Sequence, residues 1–316
     1  MKTAVFIIFC YPFLLFSQNY AEAHLMLHDI TTNLIEEQKN YIEANKQFKK
    51  LFTKYDFRFF SPGHRDALLN ILCNMNGTWD NDSVDIDFYL QQSIFSSAEK
   101  VHILNNCQCT DSITFSIIER KINNYDSLSY FSFDKELINL IDSIYKEDQR
   151  VRQPGVQLEE LFRVDSINLV ILKKLKNQYG RLLGIRDLGG SGMRKYELLI
   201  RHLSPEILLN EWYDEIIKGI CRGDLNPQSL SNSIDYAIFK NIEIIDGKPS
   251  INYSIYGTTI FQDVGHPVKD IKKANRLRRE IGLPPLEYYL KKNNIIYDVE
   301  AFKQKIGAMG LVLIEE

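Results

Sequence analysis

DKELINLIDSIYKEDQRVR, residues 134–152, sets Leu137, Ile138, Leu140, Ile141 and Ile144 at steps of three and four, with charged side chains between them. This spacing returns the apolar groups to one stripe of a 3.6-residue helix and does not fit the two-residue alternation of a strand, so it predicts an amphipathic helix. The stripe leads into the charged run Glu147-Asp148-Gln149-Arg150-Val151-Arg152.

The same reasoning extends towards the C-terminus. Asp165 is expected to open a helix carrying Ile167, Leu169, Val170, Leu172 and Leu175, closed by Tyr179-Gly180. Residues 184–192, GIRDLGGSG, form a glycine-rich stretch before a helix running to about Leu203. Such loops cradle phosphate at helix N-termini, but no strand precedes this one and no Gly-Lys-Ser/Thr follows, so a flexible connection is expected. Ser204-Pro205-Glu206 combines a cap, an early proline and an acid, and predicts a helix to near Gly223; Asn226-Pro227 starts the next one. Beyond Lys240 the period becomes two: Ile242 and Ile244 precede Asp246-Gly247, and Ile251, Tyr253 and Ile255 follow. That is a hairpin around a turn, and it must lie against helices, because two strands are weak alone. A basic helix from Val268 to about Ile281 stops at Gly282-Leu283-Pro284-Pro285, and the tail offers a short helix from Asp298 and a candidate strand from Leu311 to Ile314.

Towards the N-terminus, Ile30, Leu34, Ile35, Tyr41, Ile42, Phe48, Leu51, Phe52 and Tyr55 recur at helical spacing and predict one long amphipathic helix, broken at Ser61-Pro62-Gly63. A shorter helix through Ala67, Leu68, Ile71 and Leu72, then a loop at Asn76-Gly77 and Asp80-Asn81-Asp82, are expected to follow. Ser96 and Glu99 form a capping box ahead of Val101, Ile103 and Leu104, which also accounts for the hydrolase-like Ser97-x-x-Lys100. The expected fold is mainly α, a helical bundle-like domain with one small β-hairpin preceded by a helical N-terminal region. The expected divisions are 1–23, 24–130, 131–290 and 291–316.

Lys2, the apolar run AVFIIFCYPFLLF at residues 4–16 and the small residues of Ala21-Glu22-Ala23 read as a signal peptide cleaved after Ala23. The mature chain then starts at His24, has no membrane span and is periplasmic or secreted. Cys10 lies inside the apolar run behind Phe9 and is not a lipidation site. The 316 residues are 45% hydrophobic and 25% charged, which is globular material, and a net charge of -3 gives no global reason to bind nucleic acid or an anionic membrane. Cys73, Cys107, Cys109 and Cys221 are too few for a disulfide scaffold; they permit a disulfide from Cys73 to Cys107 or Cys109, or stay as buried thiols. Cys107-Gln108-Cys109 near His102 is a poor match to zinc spacing, so neither metal nor cofactor is expected.

Several separated elements occur in a fixed order: Asp148-Gln149-Arg150, Asp165 with Asn168 and the Tyr179-Gly180 stop, Arg201-His202, Tyr256-Gly257-Thr258, and Arg278-Arg279-Glu280-Ile281-Gly282-Leu283. This order resembles a family of bacterial proteins catalogued only as a domain of unknown function. Its pattern is an Asp-Gln-x-x-Arg-like start, Gln-His closing a helix, Asp-Arg near a hairpin, Gln-x-Tyr-Gly-Thr-Gln after it, and Arg-x-x-x-Gly-Leu near the end. The resemblance covers about Asp134 to Leu290. Here Arg201 stands in place of the Gln, Tyr236 in place of the Arg after Asp235, and Ser254 and Thr259 in place of the two glutamines. The resemblance implies an architecture and supplies no reaction.

The candidate site residues are Asp148, Arg150, Asn168, Arg201, His202, Asp235, Tyr256, Gly257, Thr258 and Arg279, all expected near helix ends and the hairpin. A histidine with a carboxylate and a tyrosine has the groups for acid/base chemistry at neutral pH. The plainer reading puts His202 at a helix C-terminus, where positive charge meets the dipole, makes Asp235 and Arg279 an ion pair, and leaves Tyr256-Gly257-Thr258 as a turn. His64 and His266, beside Gly or Pro, are expected in exposed loops. The functional expectation is an exported, non-catalytic binding or interaction protein of the cell envelope, acting on a protein, an envelope component or a small ligand. The alternative is a hydrolase-like enzyme using His202 and Asp235.

Overall fold

The computed structural model describes residues 20–55, 116, 119–120 and 133–314, which are mainly helical with a few short strands. The apolar run of the signal sequence, the helices expected between residues 67 and 104, His64, and Cys73, Cys107 and Cys109 lie outside the described residues. Among those described, no helix is long and apolar enough to cross a membrane. The chain divides into two compact units, one of residues 22–139 and 185–193, the other of residues 1–21, 140–184 and 194–316.

In the first unit the single long helix expected from Ile30 to Tyr55 is interrupted. A π-helix, Ile30–Glu37, gives way at Gln38 to a short break, and α1 (Tyr41–Lys54) starts afresh. The break has local causes: Lys39 adopts a left-handed φ of 53°, and the Asn40 side chain caps α1 by accepting the Glu43 N–H at 3.2 Å. The apolar stripe survives, since Leu27, Ile30, Ala44, Phe48 and Leu51 are all buried, whereas Ile42 points outward. Residues 20–29 are also helical and run through the expected cleavage point between Ala23 and His24, with Ala23 buried.

The second unit carries α2 (Lys135–Val151) from Leu140 onward, and α3 (Leu158–Tyr179). The latter starts a full two turns before Asp165: Gln157 is extended, and Glu159 and Glu160 favour the helix dipole in the first turn. Its stop is the expected one, Gly180 at φ 66°. The glycine-rich stretch is not a loop. It belongs to α4 (Ile185–Arg201), whose residues 185–193 are counted in the first unit and which bends there, where Gly189 takes φ 65° and ψ 176°. The helix expected after Ser204-Pro205 is divided into a π turn, Ile207–Glu211, and α5 (Tyr213–Cys221), with the buried Trp212 between them. The next, α6 (Pro227–Lys240), begins as expected, with the Asn226 side chain accepting the Ser229 N–H at 3.0 Å.

The expected hairpin is β1 (Glu243–Ile245) and β2 (Lys248–Ile251), antiparallel around Asp246-Gly247, both with positive φ. A second ribbon, β3 (Ile260–Phe261) and β4 (Val264–Gly265), turns on Gln262 and Asp263, and its glycine-free turn hid it from the sequence reading. Then come α7 (Ile271–Glu280), α8 (Leu286–Lys292), α9 (Val299–Gly307, capped by Asp298) and β5 (Val312–Leu313). The last strand pairs in parallel with β2, so the hairpin becomes a three-stranded sheet. Its inner side packs as required: Ile251, Val264, Phe302, Ile306, Leu311 and Leu313 form one buried cluster.

Candidate functional site

Two polar centres emerge in the second unit, and each is organised by a fully buried carboxylate. At the end of α2, Asp148 accepts from the Arg152 guanidinium at 2.9 and 3.2 Å and from the Gln149 amide at 2.8 Å. His202 Nδ1, immediately after α4, lies 2.9 and 3.1 Å from its two oxygens. Arg152 also donates to Asp165 on α3, so α2, α3 and the end of α4 meet through one hydrogen-bonded chain. Burial would raise the Asp148 carboxyl, but hydrogen bonds from His202 and Arg152 outweigh it and hold the group below its ordinary value. Asp165 goes the other way: burial lifts it, and the Arg152 charge only partly opposes that. The centre is open on one side. The side chain of Asp148 is 0% exposed, while that of His202 is 20% exposed, and Nε2 has no partner among the described residues. An imidazole held through Nδ1 by a buried carboxylate presents Nε2 to donate or accept a hydrogen bond or proton.

Asn168, one turn beyond Asp165 on the same face of α3, is buried and its amide nitrogen has no hydrogen-bond partner among the described residues. Arg201 and Lys240 both lie over the Tyr236 ring, at 5.1 and 4.8 Å from its centroid. Lys240 is exposed at the end of α6, yet partial loss of water around its ammonium, helped by the charges of Arg152 and Arg201, holds it below its ordinary value.

The second centre is a cradle. Asp235 on α6 accepts the N–H groups of Ile255 (2.9 Å), Tyr256 (3.0 Å) and Thr258 (2.7 Å) and the Thr258 hydroxyl (2.7 Å). The Tyr256 carbonyl accepts from Arg278 Nη1 at 2.7 Å, and Arg278 Nε donates to the Pro284 carbonyl at 2.6 Å. Arg278 is completely buried, lies 5.1 Å from the Tyr289 ring centroid and has no partner for Nη2 among the described residues; burial pushes its guanidinium down to about 10. Gly257 sits at φ 69°, and a Cβ there would come within 2.8 Å of Leu286. The phenolic oxygens of Tyr256 and Tyr213 are 3.1 Å apart, and Tyr213, Ser254 and Ile255 help to line a cleft of about 370 Å³ that also includes Lys273.

These placements redraw the expected site. Asp148, Asn168, Arg201 and His202 stand at or beside the first centre, and Asp235, Tyr256, Gly257 and Thr258 make the second. No hydrogen bond or ion pair joins His202 to Asp235; the carboxylate of His202 is Asp148. Arg150 is outside both, on the surface with Glu147 and Glu160. Arg279 is exposed and does not pair with Asp235; the buried arginine is Arg278. Arg152 and Arg278, the arginines that the two centres do hold, were not among the expected site residues. His266 is not an exposed loop residue. It is buried, stacked on Phe302 at 5.0 Å, with Nε2 donating to the Asn252 carbonyl at 2.8 Å, and burial holds the ring below its ordinary value. A further buried acid, Glu197, accepts the Asn226 N–H at 2.6 Å, and burial pushes it up to about 7. Among the described residues no group of His, Cys, Asp and Glu has the arrangement of a metal site, and Cys221 is a free thiol.

No protein-family model matches the chain, and neither a curated protein nor a solved structure matches it.

Proposed function

We propose that this is an exported binding or interaction protein of the cell envelope, and that its binding centre is the Asp148–His202 pair with Arg152 and Asp165. One observation carries the reading: a fully buried carboxylate, which also holds Arg152 and Gln149, orients one partly exposed histidine whose Nε2 has no partner among the described residues. The helix-end interaction alone would not need that carboxylate. Export rests on the basic, apolar and small-residue pattern of residues 1–23.

A second reading is favoured by the same pair. A histidine oriented by a carboxylate is the arrangement of general acid/base catalysis, so the enzyme alternative now runs through Asp148 in place of Asp235. The four bonds at Asp235 leave it a structural task.

Equilibrium dialysis of the folded protein against a small-molecule extract of the cell envelope, read by mass spectrometry, tests the proposal. A compound retained by the wild type should be lost from His202→Ala, while the variant keeps its fold. Equal retention by both proteins would remove His202 from the function. Depletion of the compound with appearance of a product only in the wild type would select the catalytic reading.

A further inference from the structure

Among the described residues, neither Arg201 nor Lys240 is in hydrogen-bonding contact with a carboxylate. The guanidinium and the ammonium share the Tyr236 ring, and neither makes a hydrogen bond or ion pair among the described residues. A ring face offsets only part of the repulsion between two like charges held together. Arg201 directly precedes His202, and Tyr236 and Lys240 are one turn apart on α6. Arg152 and Asp165 act on Lys240 electrostatically, so this pair belongs to the surroundings of the Asp148–His202 centre. Arg152, Arg201 and Lys240 outnumber Asp148 and Asp165, and Arg152 already serves both carboxylates. Guanidinium and ammonium donors together with an unpartnered imidazole nitrogen are the groups that hold a tetrahedral oxyanion.

Resting on the reading of His202 as the binding centre, we infer that the surface formed by His202 Nε2, Arg201 and Lys240, with Arg152 behind it, binds the phosphoryl group of a small ligand. The fork of Arg201 takes two oxygens, Lys240 supplies a point charge, and His202 completes the set from the side that Asp148 leaves open.

Inorganic phosphate is the probe. The wild-type protein, labelled at its histidine ring nitrogens, is titrated with phosphate at constant ionic strength and, separately, with acetate and with uncharged myo-inositol. Phosphate should shift His202 saturably, more tightly than acetate, and Arg201→Gln and Lys240→Gln should each weaken it about tenfold or more, as expected for loss of one charge-assisted contact. If acetate binds as tightly as phosphate, or if phosphate shifts only the cleft beside Tyr253 and Lys273, the phosphoryl assignment falls. If inositol shifts His202 and phosphate does not, the centre stands and the oxyanion is wrong. If no probe reaches His202, both fall.

Discussion

Asp235→Ala is expected to be the most damaging single substitution in the described part of the chain, costing about 4 kcal/mol or more. The change strands four donors at once, the part-buried N–H of Ile255 and the buried N–H groups of Tyr256 and Thr258 and the Thr258 hydroxyl, and each unsatisfied buried donor costs about 1–3 kcal/mol. The damage spreads, because the Tyr256 carbonyl that Arg278 holds would move with the turn. Against a typical total stability of about 5–15 kcal/mol, that removes between about a quarter and most of the folding free energy. Asp235→Asn should fall between, since an amide offers one acceptor oxygen where the carboxylate offers two and turns an N–H towards other N–H groups. Chemical denaturation gives the answer, and an Asp235→Ala protein within about 0.5 kcal/mol of wild type, the range of ordinary surface changes, would mean that the cradle is not structural.

Asp148→Ala should cost about 3 kcal/mol, the lower end of the range for removing one partner of a buried ion pair. The lower end applies because Arg152 keeps Asp165 and is itself 24% exposed. The pH dependence follows from the direction of its shift. A carboxylate held below its ordinary value of 3.8 contributes stability that is fully present above that value and is lost as pH falls through the lower folded value. The stability gap between wild type and Asp148→Asn should therefore stay level above about pH 5 and narrow as the solution is taken below about pH 3. A gap that widens in acid would show that Asp148 is protonated in the folded protein.

The helical architecture was legible because its signals are local. Asn226-Pro227, Asp298 and Gly180 each act within one turn of the backbone, and the structure uses all three as read. Asp246-Gly247 likewise announced its hairpin. What the sequence hid depends on partners far along the chain. The Gln262-Asp263 turn contains no glycine, and its ribbon is held by a bridge from Val264 to Ile296. The bend of α4 within a helix, where a loop was expected, reflects one glycine at positive φ among neighbours that stay helical. His266 looked exposed beside Pro267, yet Phe239 and Phe302 close over it from 27 and 36 residues away in sequence. At the site the motifs were visible, but their pairing was not. His202 and Asp235 looked like partners because both are polar and both follow the same order of elements, whereas the fold joins His202 to Asp148, 54 residues upstream. Lys240 carried no signal at all, since a lysine at the end of a helix is also what the dipole favours.

The central claim is that Asp148 fixes His202 through Nδ1 and leaves Nε2 to a ligand, and the proton exchange of the His202 ring tests it most directly. In nitrogen-resolved spectra of the wild type near neutral pH, Nδ1 should carry a proton that exchanges slowly with water, while Nε2 is open to solvent. In Asp148→Asn the protection at Nδ1 should be weakened or lost. A wild-type ring protected at Nε2, or a Nδ1 proton that exchanges freely whether or not Asp148 is present, would contradict the account.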